Sequence, residues 1–119
     1  MTLSDTRDFC LALPHTTEST PFGPDVLVFK VADKLFALAS LTDVPPRLNL
    51  KCEPDRALDL RDQYDAIQPG YHMNKRHWNT IHIEGIPTPL LRDLILHSYH
   101  LVTAALPRRT RTALGLDLD

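Results

Sequence analysis

A chain of 119 residues, 43 % hydrophobic and 24 % charged, is long enough for one domain with a core of its own, without disulfide or metal support. Its formal net charge of -2 argues against wholesale electrostatic attraction to nucleic acid or to an anionic membrane. No apolar run approaches the roughly 20 residues of a membrane span, and the polar start contains no signal-peptide core. A single domain over residues 1–119 is expected, cytoplasmic, off the membrane and, with short loops and no apolar excess, monomeric.

In chain order, Ser4 or Asp5 is placed to cap a helix running to about Ala12, and Pro14 ends it. Residues 15–25, with three threonines, two prolines and a glycine, read as a loop. Residues 26–32 and 34–40 are rich in β-branched and aromatic side chains, and Asp33-Lys34 between them predicts a tight hairpin. Pro45-Pro46 breaks the next connection. Arg47-Leu48-Asn49-Leu50-Lys51 then alternates as a half-buried strand should.

Pro54 suits the first turn of a helix over 54–64, with Ala57, Leu58 and Leu60 at helical spacing and acids outside. Residues 67–71 predict a short extended piece and residues 74–78 one helical turn. In 79–84, Ile81 and Ile83 should face inward and Thr80, His82 and Glu84 outward, with Gly85 ending the strand. Thr88 is the expected cap of the last helix, with Pro89 at its first position. Leu91, Leu94, Ile95, Ser98, Val102 and Ala105 form a stripe at spacings of three and four that should pack on the sheet. Pro107 stops it, and Arg108-Arg109-Thr110-Arg111 follows as a basic exit. This order predicts an α+β two-layer sandwich, an antiparallel sheet covered by helices on one face.

The charge is uneven. Residues 1–70 carry 7 Lys/Arg against 11 Asp/Glu, whereas 71–119 carry 6 against 4 and five of the six histidines. Within that second half, the run Tyr71-His72-Met73-Asn74-Lys75-Arg76-His77-Trp78-Asn79 is poor core material, because nearly every side chain has a polar head that burial would have to satisfy. It suits a surface that grips phosphates through Lys75 and Arg76, stacks a base on Trp78 or Tyr71, and donates hydrogen bonds from its asparagines. Lys51, on a nearby strand, is a candidate addition. The competing account makes Trp78 a core anchor and Lys75 and Arg76 a solvated turn.

His72, His77 and His82 lie five apart, which aligns on neither a helix nor a strand face. His97 and His100 lie i, i+3 but lack a third ligand, so no metal or cofactor is expected. Asp55, Asp59 and Asp62 read as a solvated helix face. Cys10 and Cys52 match no metal spacing and read as reduced, buried thiols. No nucleophile elbow or phosphate-cradling glycine loop is present, so no catalytic residue is assigned and no enzyme is expected.

The central run resembles the signature of the MmcQ/YjbR family of small bacterial proteins. The likeness continues in Leu13-Pro14, Pro21-Phe22-Gly23-Pro24, Val28-Phe29-Lys30-Val31, Lys34-Leu35-Phe36-Ala37, Leu48-Asn49-Leu50-Lys51-Cys52 and Ser98-Tyr99. The resemblance implies a frataxin-like (CyaY-like) sandwich and DNA binding through a double-wing arrangement. By position, it assigns nucleic-acid contact to Lys51, His72, Asn74, Lys75, Arg76, His77, Trp78 and Asn79. A protein-interaction module using the same patch is the alternative. Many relatives read Gly-Gly-Lys at the first hairpin, where this chain has Ala32-Asp33-Lys34, and Asp33 would disfavour a phosphate there. The first helix offers only Asp5 and Asp8 around Arg7, so the row of acids that frataxins use for iron is not reproduced.

Overall fold

In the computed structural model, which describes residues 1–116, six strands form one antiparallel sheet and three helices bury one of its faces. The elements are α1 (Leu3–Leu11), β1 (Thr16–Ser19), β2 (Val26–Val31), β3 (Lys34–Ser40), β4 (Arg47–Lys51), α2 (Pro54–Gln63), β5 (Ile67–Pro69), β6 (Trp78–His82), α3 (Thr88–Ala104) and α4 (Arg108–Ala113). The strand order is β1-β2-β3-β4-β6-β5. Among the described residues no helix is long and apolar enough to cross a membrane.

Helix α1 starts earlier than expected. Thr2 is its cap, and Thr2 and Asp5 form a reciprocal capping box: the Asp5 N–H donates to Thr2 Oγ1 and the Thr2 N–H to the Asp5 carboxylate. The Thr2 backbone N–H and, after it, the Thr2 hydroxyl hold the Asp5 carboxyl below its ordinary pKa. Residues 16–19, expected in a loop, instead make edge strand β1 against β2. Their threonines favour extended backbone, but only pairing with β2 decides the matter. An Arg7–Glu18 ion pair ties β1 to α1.

The β2–β3 hairpin is present, with its turn one residue earlier than expected. Val31 pairs with Lys34, and Ala32 and Asp33 both take positive φ, 49° and 64°, as a two-residue turn matched to strand twist requires. The register then slips: Phe29 faces Ala37 and Lys30 faces Leu35, leaving Phe36 as an extra residue on β3. That bulge lets Phe36 and Ala37 both bury, and Phe36 packs edge-on against Tyr99 of α3 at 5.4 Å. The Phe36 carbonyl, left out of the ladder, accepts from Ser98 Oγ at 2.6 Å, and Ser98 Oγ in turn accepts the Lys51 N–H at 2.9 Å. One α3 hydroxyl therefore replaces a ladder bond between β3 and β4.

Helix α2 begins at Pro54 as read, capped by Glu53, whose carboxylate accepts the Asp55 and Arg56 N–H groups at 3.1 and 2.9 Å. Helix α3 has no side-chain cap. Pro87 holds the cap position, and Thr88 accepts a bond from the N-terminal ammonium instead. The expected α3 stripe is buried apart from Ala105, which lies exposed at the helix end, and Tyr99 joins it. An Arg56–Asp93 pair at 2.5 Å links α2 to α3. The basic exit is a short helix, α4, and the segment after it reaches back: Leu116 packs on the core and the Leu114 carbonyl lies 2.6 Å from His15 Nε2. Cys10 and Cys52 are both buried free thiols, and burial pushes Cys10 up to about 12.

Candidate nucleic-acid interface and the open sheet face

The 70–78 segment is a chain of turns, not the helical turn expected at 74–78, and Trp78 opens β6. Arg61 of α2 holds it from beneath. Its Nε donates to Asn79 Oδ1 at 2.7 Å, and its Nη2 donates to the carbonyls of Lys75 and, at 3.4 Å, Trp78. A guanidinium suits this task because its donors form a rigid fork with fixed directions. Gly70 closes the segment by donating to the Trp78 carbonyl at 2.9 Å. A Cβ there would stand 2.8 Å from the Trp78 Cβ, so only glycine fits this approach.

Against this frame the sequence-assigned residues divide. Asn79 is 1 % exposed, and both ends of its amide are used, by Arg61 and by the Ala57 carbonyl at 3.4 Å. Asn74 shapes the turn: its Oδ1 accepts the Arg76 N–H at 2.9 Å, and its carbonyl accepts from His77. His77 and Trp78 are half-buried, and the His77 carbonyl receives the Cys52 N–H at 2.8 Å. Lys51 is the register partner of Trp78, but its side chain lines a small cleft with Lys34, Leu35 and Leu106 at the end of α3.

The exposed members are His72, Asn74, Lys75 and Arg76. Lys75 Nζ donates to the Gly70 carbonyl at 3.3 Å. Lys75 and Arg76 border a cleft of about 470 Å³ that also includes Asp55, Leu58 and Arg61. His72 adopts a positive φ of 57°, and its ring lies 4.0 Å from that of Tyr71. Tyr71 itself is 59 % exposed, with the Arg47 guanidinium 5.6 Å from its ring centre, within cation–π range.

Tyr71, His72 and Met73 also form one wall of a cavity of about 450 Å³ on the sheet face that the helices leave open. Phe22, 68 % exposed, also lines it, as do Val26, Leu38, Asn49 and Thr80. Arg47 lies at its edge, with Nε donating to Asp43 at 3.0 Å. The polar part of the lining is a chain of bonds: the Tyr71 N–H donates to Thr80 Oγ1 at 2.9 Å, and Thr80 donates to Asn49 Oδ1 at 2.5 Å. Thr80, expected to face solvent, does point away from the helices but is buried here.

The reading from sequence did not single out Asn49, Arg47 or Phe22. The one available signal was strand alternation, which sets Arg47, Asn49 and Lys51 on the same side of β4. Among the described residues no group of three His, Cys, Asp or Glu side chains is placed to hold a metal ion. His97 accepts the Glu53 N–H on Nε2 at 3.1 Å. Its burial and the nearby Arg56 lower its pKa.

Comparison with known proteins places this architecture. Residues 11–101 match the family model described as YjbR. The chain is 44 % identical over 104 residues to the uncharacterized protein YbdF of Escherichia coli O157:H7, covering 87 % of this chain and 85 % of that one. It is 32 % identical over 115 residues to the uncharacterized YjbR of Escherichia coli K12, covering 96 % and 98 %. Among solved structures, Deinococcus radiodurans protein DR2400, with its DUF419 domain, superposes with a TM-score of 0.92 at 42 % identity, over 97 % of this chain and 88 % of that one. A Pseudomonas syringae protein gives a TM-score of 0.75 at 29 % identity, over 85 % and 98 %. With a match across most of its length and relatives above 30 % identity that cover nearly all of it, the chain belongs to the YjbR family.

Proposed function

We propose that the protein is a cytoplasmic nucleic-acid-binding module, DNA being the first ligand to test, and that it works by binding without catalysis. The observation that carries this reading is the pinned 70–78 segment. Arg61 and Gly70 fix its backbone, while Tyr71, His72, Lys75 and Arg76 remain exposed along it. In this reading Lys75 and Arg76 neutralise phosphates, and the Tyr71–His72 pair offers a stacking surface for an unpaired base. Asn74 and Asn79 hold the segment in shape, and Lys51 lies off the contact path. The frataxin-like fold implied by the sequence resemblance belongs to the same proposal, supported by an antiparallel sheet with helices on one face.

Fluorescence anisotropy with single- and double-stranded DNA, from about 50 to 200 mM salt, tests it. Wild type should bind with salt-sensitive affinity, Lys75→Ala/Arg76→Ala should lose binding, and Tyr71→Ala should weaken single-strand binding by about 1–3 kcal/mol. Equal binding by the Lys75/Arg76 double variant would remove the segment as the site.

A second reading, a module for a protein partner, is favoured by the cleft beside the same cations. Asp55 lines it together with Lys75 and Arg76, and Leu58 is exposed within it. A mixed-charge cleft with an apolar anchor suits a protein surface better than a polyanion. A pull-down that recovers one partner, unchanged by nuclease, would support this reading over the first.

A further inference from the structure

The cavity on the open sheet face holds a polar group that the fold does not use. Asn49 is only 9 % exposed, and its Oδ1 is occupied by the Thr80 hydroxyl, whose own oxygen already accepts the Tyr71 N–H. This chain of bonds orients the amide and leaves Nδ2 as its free end. Nδ2 has no hydrogen-bond partner among the described residues, and the side chain lines the cavity. The NH₂ group opens onto the cavity, where an acceptor from outside the chain can pair with it.

A second donor stands at the rim. Arg47 gives only its Nε to Asp43. Its terminal nitrogens have no hydrogen-bond partner among the described residues, and its guanidinium carbon lies 5.6 Å from the Tyr71 ring centre. The cavity's carboxylate, Asp43, pairs with Arg47 Nε, so the donors left toward the space are Asn49 Nδ2 and the Arg47 terminal nitrogens, which favour a ligand that brings acceptor oxygens. The remaining surface selects for flatness and apolarity. Val26, Leu35, Leu38 and Met73 line the cavity, together with Phe22 and the Tyr71–His72 pair. At about 450 Å³ the space falls within the roughly 300–1,000 Å³ of small-molecule sites.

We propose that this cavity is a binding site for a small aromatic carboxylate or an equivalent flat organic anion. The ring lies between Phe22 and the Tyr71–His72 pair, and the acceptor oxygens are held by Asn49 Nδ2 and Arg47. The inference goes beyond the nucleic-acid reading, because its deciding residues, Asn49, Arg47 and Phe22, take no part in that one.

The probes are 1-naphthoate and its uncharged counterpart 1-naphthylmethanol, with 8-anilinonaphthalene-1-sulfonate as the fluorescent reporter. Titration into the full-length protein is followed by fluorescence and by amide chemical shifts. The expected result is saturable one-to-one binding of the sulfonate, displaced by 1-naphthoate at least tenfold more effectively than by the alcohol. Shift changes should concentrate at Val26, Leu38, Asn49, Tyr71 and Thr80. Asn49→Asp, which keeps the acceptor for Thr80 but replaces the donor with a like charge, should weaken binding at least tenfold. Phe22→Ala alters an exposed residue that the fold does not need. It should weaken binding severalfold with an unchanged amide spectrum elsewhere, so the proposal stays testable even if Asn49→Asp fails to fold. Equal affinity for acid and alcohol, unaltered binding in Phe22→Ala, or shifts centred outside the cavity would each overturn it.

Discussion

The two faces of the sheet are made by the same strands and are finished differently. On β4, Leu48 and Leu50 point toward the helices and vanish into a core shared with Phe36, Ile81, Ile95 and Tyr99. Asn49, between them, points the other way and is covered by Phe22 and the 71–73 wall, with a cavity left between. On the helix face Ser98 bridges two strands and Asn79 joins α2 to β6, whereas Thr16 Oγ1, beside Val31, is buried without a hydrogen-bond partner among the described residues. On the open face, the Asn49 amide is half used. A face closed by packing is a structural face, whereas an incompletely closed one has room for a ligand.

The sharpest way to break this comparison is to remove equal side chains from each face. Leu50→Ala, at a site 2 % exposed, should cost about 2–5 kcal/mol, because the packed core around it cannot collapse into the space. Leu38→Ala, half-buried at the cavity, should cost about 1 kcal/mol, since much of its surface already lacks packed neighbours. Urea denaturation of both variants checks this, and equal losses would mean that the open face is as tightly packed as the other.

A smaller effect isolates the hydroxyl that joins β3 to β4. Ser98→Ala leaves the Phe36 carbonyl and the Lys51 N–H without their shared partner and should cost about 1–3 kcal/mol. Hydrogen exchange at Lys51 should rise more than exchange at Leu48 or Thr80. Uniform acceleration across the sheet would argue against a local bridge.

The smallest expected effect comes from pH. His97 has its pKa lowered in the fold, first by burial and then by Arg56, and its Nε2 acts as an acceptor from Glu53. The unfolded chain therefore takes up the proton before the native state does. Stability should fall as pH drops below the ordinary histidine value of about 6.5, levelling off once the folded pKa is passed. Comparing urea midpoints at pH 7.5 and 5.5, His97→Gln should show a smaller drop than wild type; an unchanged drop would place the titration elsewhere.

Much of the fold was legible because it rests on local rules. The β2–β3 hairpin, the start of α2 at Pro54 and the buried stripe of α3 each follow from spacing and turn chemistry within a short window. The extra residue at Phe36 was not legible, since a bulge depends on what the partner strand and α3 demand. The same holds for β1, which is a strand only because Val28 to Val31 pairs with it, and for Thr2, whose role as cap appears once Asp5 answers it.

For the candidate site, the sequence by itself determined that residues 71–79 carry an unusual concentration of polar, cationic and aromatic groups. Only the tertiary structure decided which of these face solvent. Strand alternation turned Asn79 inward to Arg61, and the turn at Asn74 left Lys75 and Arg76 outside. The cavity is wholly a tertiary product. Phe22, Asn49 and Tyr71 are far apart along the chain and meet because antiparallel pairing brings β4 and β6 together beside β3, with the Phe22 and Tyr71 segments rising on either side. Local sequence sets the direction of a side chain relative to its own strand. What stands opposite that side chain is set by long-range register, which no short window contains.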